Sequence, residues 1–175
     1  IESDYCTLIS NSASDNRYFG FDIWVSESCT LTNNTASDSS TSGFISHAAY
    51  NSTLTNNTAS SNYRGINLLE KNGCTLTDNT ASSNYFSGIN LSSSDNCVIT
   101  KNTASNNAYS GFYLSYSSSC TMTDNILVNN GVFLEVWSIS HMLHDVSDNT
   151  VNGKPLGYFV NLTSTTIDCS QYGQV

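Results

Sequence analysis

Apolar residues recur along this chain in short alternating runs, not at helical spacing. In CTLTNNTAS, residues 29 to 37, Cys29 and Leu31 fall on one face of an extended segment and Thr30 and Thr32 on the other. That is the period-two signature of a half-buried strand. The same nine positions return as STLTNNTAS at 52 to 60 and CTLTDNTAS at 74 to 82. Aligned on the asparagine after TLTx, the copies give Asn11, Asn34, Asn57, Asn79, Asn102, Asn125 and Asn149, at intervals of 23, 23, 22, 23, 23 and 24 residues. Three positions ahead of each stands an apolar residue: Leu8, Leu31, Leu54, Leu76, Ile99, Met122 and Val146. The NTAS segment turns a small column inward, Ala13, Ala36, Ala59, Ala81 and Ala104. A third alternating run opens on glycine, as in Gly65-Ile66-Asn67-Leu68, Gly88-Ile89-Asn90-Leu91 and Gly111-Phe112-Tyr113-Leu114. Each unit therefore contains three short strands separated by turns.

A unit this short cannot close a core alone, but stacked units can, each strand pairing with its copy in the next coil about 4.8 Å away. The fold expected is all-β, a parallel β-helix of about seven coils of 22–24 residues with three short strands per coil. Leucine-rich repeats have a similar period but need more leucine and a convex side that SSNYFSG suits poorly. One domain covers residues 1–175, with regular coils over about 5–125 and irregular last coils and closing segment over 126–175, because Gly131 arrives early. Neither end shows a polar capping unit. The repeated asparagines read as an internal ladder, each side-chain amide bonding the equivalent asparagine above and below and satisfying turn groups that an apolar residue would leave unpaired.

The formal net charge of −9, with Arg17, Arg64, Lys71, Lys101 and Lys154 as the cations, argues against a nucleic-acid partner, whose phosphates this surface would repel. The longest apolar stretch, GVFLEVW near residue 131, contains a glutamate and is far short of the roughly 20 residues that span a bilayer. The chain begins IESDYC without an initiator methionine, so its start does not argue for the cytoplasm.

The pattern CTLTNNTAS…NYxxGIxLxxS, together with the closing segment DNTVNGKPLGYFVN at 148 to 161, resembles the right-handed parallel β-helix repeats of the NosD-like family, which abound in cell-surface proteins of methanogenic archaea. The resemblance covers residues 5 to about 150. It implies a right-handed solenoid and an extracellular or cell-surface setting more firmly than it implies an activity.

Residues able to do chemistry are few. Cys6, Cys29, Cys74, Cys97 and Cys120 share one column, with Ser52 and His144 in the remaining copies and Cys169 apart. In-register parallel strands hold neighbouring Cβ atoms slightly too far apart for a preferred disulfide, so buried thiols packed as small hydrophobes are expected. The column spreads its sulfurs along an axis and lacks a C-x-x-C pair, which disfavours zinc. His141-Met142-Leu143-His144 contains copper-type ligands, but strand alternation would place the two histidines on opposite faces. The residues before the ladder, Ser10, Asn33, Asn56, Asp78, Lys101, Asp124 and Asp148, read as cross-strand charge pairing around Lys101. Asp145 and Asp148 are the remaining acidic pair and have no arginine beside them. No catalytic residue, metal site or cofactor is expected.

Two outward columns remain. Thr30 and Thr32, Thr53 and Thr55, Thr75 and Thr77, and Thr121 and Thr123 form a two-wide array, interrupted at Ile9 and Val98; its layout resembles the ice-binding face of insect β-helical antifreeze proteins. Tyr18, Tyr63, Phe86 and Tyr109, with Thr41 between, stack at a turn and offer a platform for sugars or a neighbouring subunit. The function expected is a non-enzymatic extracellular structural protein, a self-assembling surface, sheath or filament component whose partner is a further copy of itself. An ice- or glycan-binding module and a carbohydrate-active β-helix enzyme are the rival readings.

Overall fold

The computed structural model describes residues 2–48, 50–70 and 72–175. The chain winds as a right-handed parallel solenoid whose strands stack into three sheets. The first sheet gathers the TLT segments: Thr7–Ile9, Thr30–Thr32, Thr53–Thr55, Thr75–Thr77, Val98–Thr100, Thr121–Thr123 and Asp145–Ser147. The second gathers the TAS segments from Ser12–Ser14 to Ile126–Val128 and Thr150–Val151. The third, here the glycine sheet, consists of Phe19–Trp24, Ser42–His47, Arg64–Leu69, Ser87–Ser92, Ser110–Ser115 and Val132–Glu135. The seventh unit supplies strands to the first two sheets and none to the glycine sheet, so six coils are complete among the described residues.

Register is set by burial. Leu8, Leu31, Leu54, Leu76, Ile99, Met122 and Val146 pair in an unbroken row, because a slip of one residue would turn every apolar side chain to solvent. The Ala36 to Ala104 column is fully buried. Larger residues of the glycine sheet, such as Ile66, Leu68, Ile89, Leu91, Phe112 and Leu114, fill the space facing it. The sheets meet closely at the glycines. A Cβ on Gly65 would lie 3.1 Å from the Cβ of Ala81 in the second sheet, and 2.5 Å from the Gly88 carbonyl oxygen of the next coil.

Corners explain the neutral polar composition. The residues before the ladder asparagines all have φ between 54° and 57°; left-handed backbone is costly for most L-residues and least so for Asn and Asp. The property common to that column is thus its backbone conformation, with Lys101 adopting it as readily as Asp78 and Asp124, and not the charge pairing expected. At the next position the ladder runs through the core. Asn57 donates from its backbone N and its Nδ2 to Asn79 Oδ1, at 2.9 and 3.0 Å, and from Nδ2 to the Leu31 carbonyl at 2.9 Å. The same set repeats between Asn79 and Asn102 and between Asn102 and Asn125.

The closing segments depart from expectation in two ways. Residues 139–142 form a 3-10 turn where strand alternation was expected, so the opposite-face argument for His141 and His144 does not apply. The C-terminal end is also capped. Lys154–Pro155 pairs antiparallel with Thr150–Val151, and the Gln174 side chain accepts from Val132 N at 2.7 Å and donates to Val132 O at 2.6 Å. One side-chain amide thereby imitates the strand that would otherwise continue the glycine sheet, satisfying an edge left open by the missing seventh strand.

Candidate functional site

The column cysteines form no disulfide; Cys29, Cys74, Cys97 and Cys120 are buried, Cys6 is half-buried and Cys169 exposed. Burial, followed by contact with Cys29, pushes the Cys6 thiol up to about 12, and a hydrogen bond with Cys120 leads the causes that do the same for Cys97. Neutral, enclosed thiols are poor nucleophiles. Iodoacetamide at pH 8 should therefore label Cys169 rapidly and Cys6 slowly, and should reach all six cysteines only after denaturation. Mass spectrometry finding Cys97 or Cys120 labelled in the native protein would contradict this packing.

His144 ends the cysteine column. Its Nδ1 accepts from Cys120 N at 3.3 Å and its Nε2 contacts the His141 carbonyl at 3.1 Å, while His141 Nδ1 accepts from Trp137 N at 3.3 Å. Both ring nitrogens of His144 are thus engaged in local structure, and burial lowers its pKa. Among the described residues no group of three or more His, Cys, Asp and Glu is placed to hold a metal ion. Asp145 and Asp148 lie exposed beside the first sheet. The threonine array is half-buried and in exact-copy register, for example Thr30 with Thr53 and Thr53 with Thr75.

The aromatic column is a wall. Tyr63 and Phe86 stack at 5.7 Å and 14°, and Phe86 and Tyr109 at 4.8 Å and 6°, while Tyr18 stands apart from them beside Phe19. The Arg64 guanidinium lies 4.9 Å from the ring centres of both Tyr63 and Phe86. Its Nε is enclosed and without a hydrogen-bond partner.

Beside this wall the outward side chains of the glycine sheet line a hollow of about 360 Å³, formed by Arg64, Asn67, Leu69, Asn90, Ser92, Tyr113, Ser115 and Glu135. Asn90 Nδ2 donates to Asn67 Oδ1 at 2.6 Å, and both side chains are buried although they face outward. A second hollow of about 330 Å³, which includes Trp24, His47 and Glu70, shares Leu69 and Ser92 with the first. The two hollows adjoin at these residues and extend over successive coils along the solenoid axis, the second from Trp24 to Ser92 and the first from Arg64 to Glu135, and are together termed the groove.

At its far end Glu135 gathers three hydroxyl donors: Tyr113 at 2.5 Å, Ser115 at 2.9 Å and Tyr116 at 2.9 Å. These bonds hold the carboxyl below the usual carboxylate range, Tyr113 contributing most. Burial, then Glu135, pushes the Tyr113 phenol up to about 12. The phenol therefore stays neutral and the carboxylate ionised, the phenol donating to the carboxylate at one end of the groove. Glu70 lies three coils from Glu135 along the sheet, about 14 Å at 4.8 Å per coil, beyond the roughly 6.5–9.5 Å of a two-carboxylate glycosidase.

Sequence reasoning found the wall but not the groove. Glu135 sits in the shortened last strand of the glycine sheet, within the run GVFLEVW. The available signal was its column, Trp24, His47, Leu69, Ser92, Ser115 and Glu135, which changes at every step but that from Ser92 to Ser115, while the inward column before it holds leucine at Leu68, Leu91, Leu114 and Leu134.

A right-handed β-solenoid with a lateral, aromatic-walled groove is the class of protein these features define. The family described as right handed beta helix region matches residues 1–170, and the chain belongs to it. No curated protein matches the chain in sequence. Among solved structures it is similar to the mannuronan C-5 epimerase AlgE4 A-module of Azotobacter vinelandii, with 18% identity and a TM-score of 0.74, over 85% of this chain and 46% of that one. It is similar also to a periplasmic alginate epimerase AlgG, with 19% identity and a TM-score of 0.74, over 95% and 41%. The AlgE6 A-module of Azotobacter vinelandii matches with 15% identity and a TM-score of 0.61, over 87% and 53%.

At these identities the likeness is one of fold, and the chain spans about half the length of those proteins or less. The expectation that the chain is not an enzyme is corrected by these matches: they are epimerases, so regular coils poor in catalytic clusters do not mark a purely structural protein. Among the described residues no helix is long and apolar enough to cross a membrane.

Proposed function

We propose that this chain is a carbohydrate-active β-helix that holds a glycan in the groove of the glycine sheet and presents the Tyr113–Glu135 pair to it. The observation that carries this reading is the groove: stacked aromatic rings on one side, amide and hydroxyl groups on its floor, and a phenol–carboxylate pair at one end. Sugars need these two surfaces, a flat apolar face for the ring and convergent hydrogen-bonding groups for the hydroxyls. The epimerase activity in the names of the matched structures agrees with the class. An exterior location and a NosD-like relationship, both implied by the repeats, belong to the same proposal.

Assembly through the aromatic column has less support. Tyr63, Phe86 and Tyr109 are stacked on one another and serve as the groove wall.

The test is calorimetric titration with linear polysaccharides, followed by product analysis by NMR. Phe86→Ala should weaken binding about tenfold, a loss typical of an aromatic contact. Glu135→Gln should retain binding and lose turnover. Because Glu135 has a lowered pKa, its ionised state and its hydroxyl bonds persist as pH falls through the usual carboxylate range and are lost only through that lowered value, so turnover should fall only in acid below that range. Full turnover in Glu135→Gln would remove the pair from the chemistry.

A further inference from the structure

The chain contains two tryptophans, Trp24 and Trp137; Trp24 lines one hollow of the groove, and Trp137 lies two residues beyond Glu135, which lines the other. Trp24 closes the first strand of the glycine sheet, 45% exposed, with its ring 4.6 Å from that of His47. Trp137 follows the last strand of that sheet, 83% exposed, with its ring 4.4 Å from Tyr116. Tyr116 in turn donates to Glu135. Five coil spacings separate these ends, about 24 Å at 4.8 Å per coil. Solvent-exposed indoles are costly in water and are unexplained by core packing.

Charge along the groove is unlike that needed for a polyanion. Arg64 is the one cationic side chain among the described lining residues, against Glu70 and Glu135, in a protein of net charge −9. A glycan with a carboxylate on every sugar would meet repulsion along most of its length.

Resting on the glycan-binding reading above, we infer that the groove takes a linear, uncharged glycan laid parallel to the solenoid axis, with Trp24 and Trp137 as terminal ring platforms. The two indoles stand about 24 Å apart at 4.8 Å per coil, so only a chain of several sugars can reach both. Between the platforms, the bonded amides of Asn67 and Asn90 form the groove floor and Arg64 borders it. A disaccharide is too short to span that distance and engages one indole at most.

Each tryptophan can be read alone. Trp24→Phe leaves Trp137 as the reporter and Trp137→Phe leaves Trp24. Fluorescence and calorimetric titrations with di-, tetra- and hexasaccharides of β-1,4-linked glucose, mannose and N-acetylglucosamine should show a hexasaccharide perturbing both reporters and a disaccharide at most one. Mannuronate hexasaccharide should bind at least about tenfold more weakly. A response confined to one tryptophan at every length overturns the clamp while leaving glycan binding in place, as does calorimetric binding without any fluorescence change. Mannuronate binding as tight as the neutral sugars overturns the uncharged-ligand assignment. Absence of binding to every sugar in calorimetry overturns both this inference and the reading it rests on.

Discussion

Replacing Asn79 by Ala should lower the unfolding free energy by about 2–4 kcal/mol, since a buried polar group stripped of its partner costs about 1–3 kcal/mol and an ordinary hydrogen bond lost about 1 kcal/mol. The Asn79 side chain accepts from Asn57 N and Asn57 Nδ2, at 2.9 and 3.0 Å, and donates to the Leu54 carbonyl and to Asn102 Oδ1, at 2.8 and 2.9 Å. Alanine leaves the Asn57 backbone N–H without a partner, while Asn57 Nδ2 keeps the Leu31 carbonyl and the Leu54 carbonyl keeps its place in the strand ladder. Asn102 Oδ1 retains the bond from Asn79 N. The loss is a large fraction of the roughly 5–15 kcal/mol that holds a domain together. Urea unfolding followed by far-ultraviolet circular dichroism measures it. A change under about 1 kcal/mol, the worth of an exposed hydrogen bond, would mean that water reaches the ladder.

Leu76→Ala should cost about 2–5 kcal/mol, the range for a buried leucine whose cavity cannot collapse. Leu76 is fully buried and pairs with Leu54 and Ile99 in the adjacent coils. Close approach of the sheets at the glycine column leaves little room for the walls to move inward. Thr75→Ala on the opposite face of the same strand should stay within about 0.5 kcal/mol. Comparable losses at both positions would place the wrong face inward.

Much of the solenoid was legible because its rules act on neighbouring residues. Alternation in TLT assigns faces, and a fixed interval between copies assigns stacking. Hydrogen-bonding roles were harder to read. A second ladder, in which Ser39 N, Asn62 N and Asn84 N donate to Asn62, Asn84 and Asn107 Oδ1 at 2.9, 3.0 and 3.0 Å, lies in SSNY-type segments that look like ordinary loop. Its spacing was visible, but Ser39 interrupts the asparagine column where Asn11 to Asn149 have no interruption.

The C-terminal cap was illegible for another reason. Gln174 engages Val132 across 42 residues, and nothing in a lone glutamine near the end of the chain announces a distant strand edge. Glu135 shows the same limit at the candidate site. Its role comes from Tyr113 one coil below and Tyr116 at the adjoining corner, neighbours only after the solenoid has wound.

That the groove, and not another face, handles sugar can be tested by mapping amide chemical-shift changes on titrating the isotopically labelled protein with a neutral β-1,4-linked hexasaccharide. The changes expected centre on Arg64, Asn67, Asn90, Tyr113 and Glu135, with the array from Thr30 to Thr123 unaffected. Changes centred on that threonine array, with the groove residues still, would contradict the account.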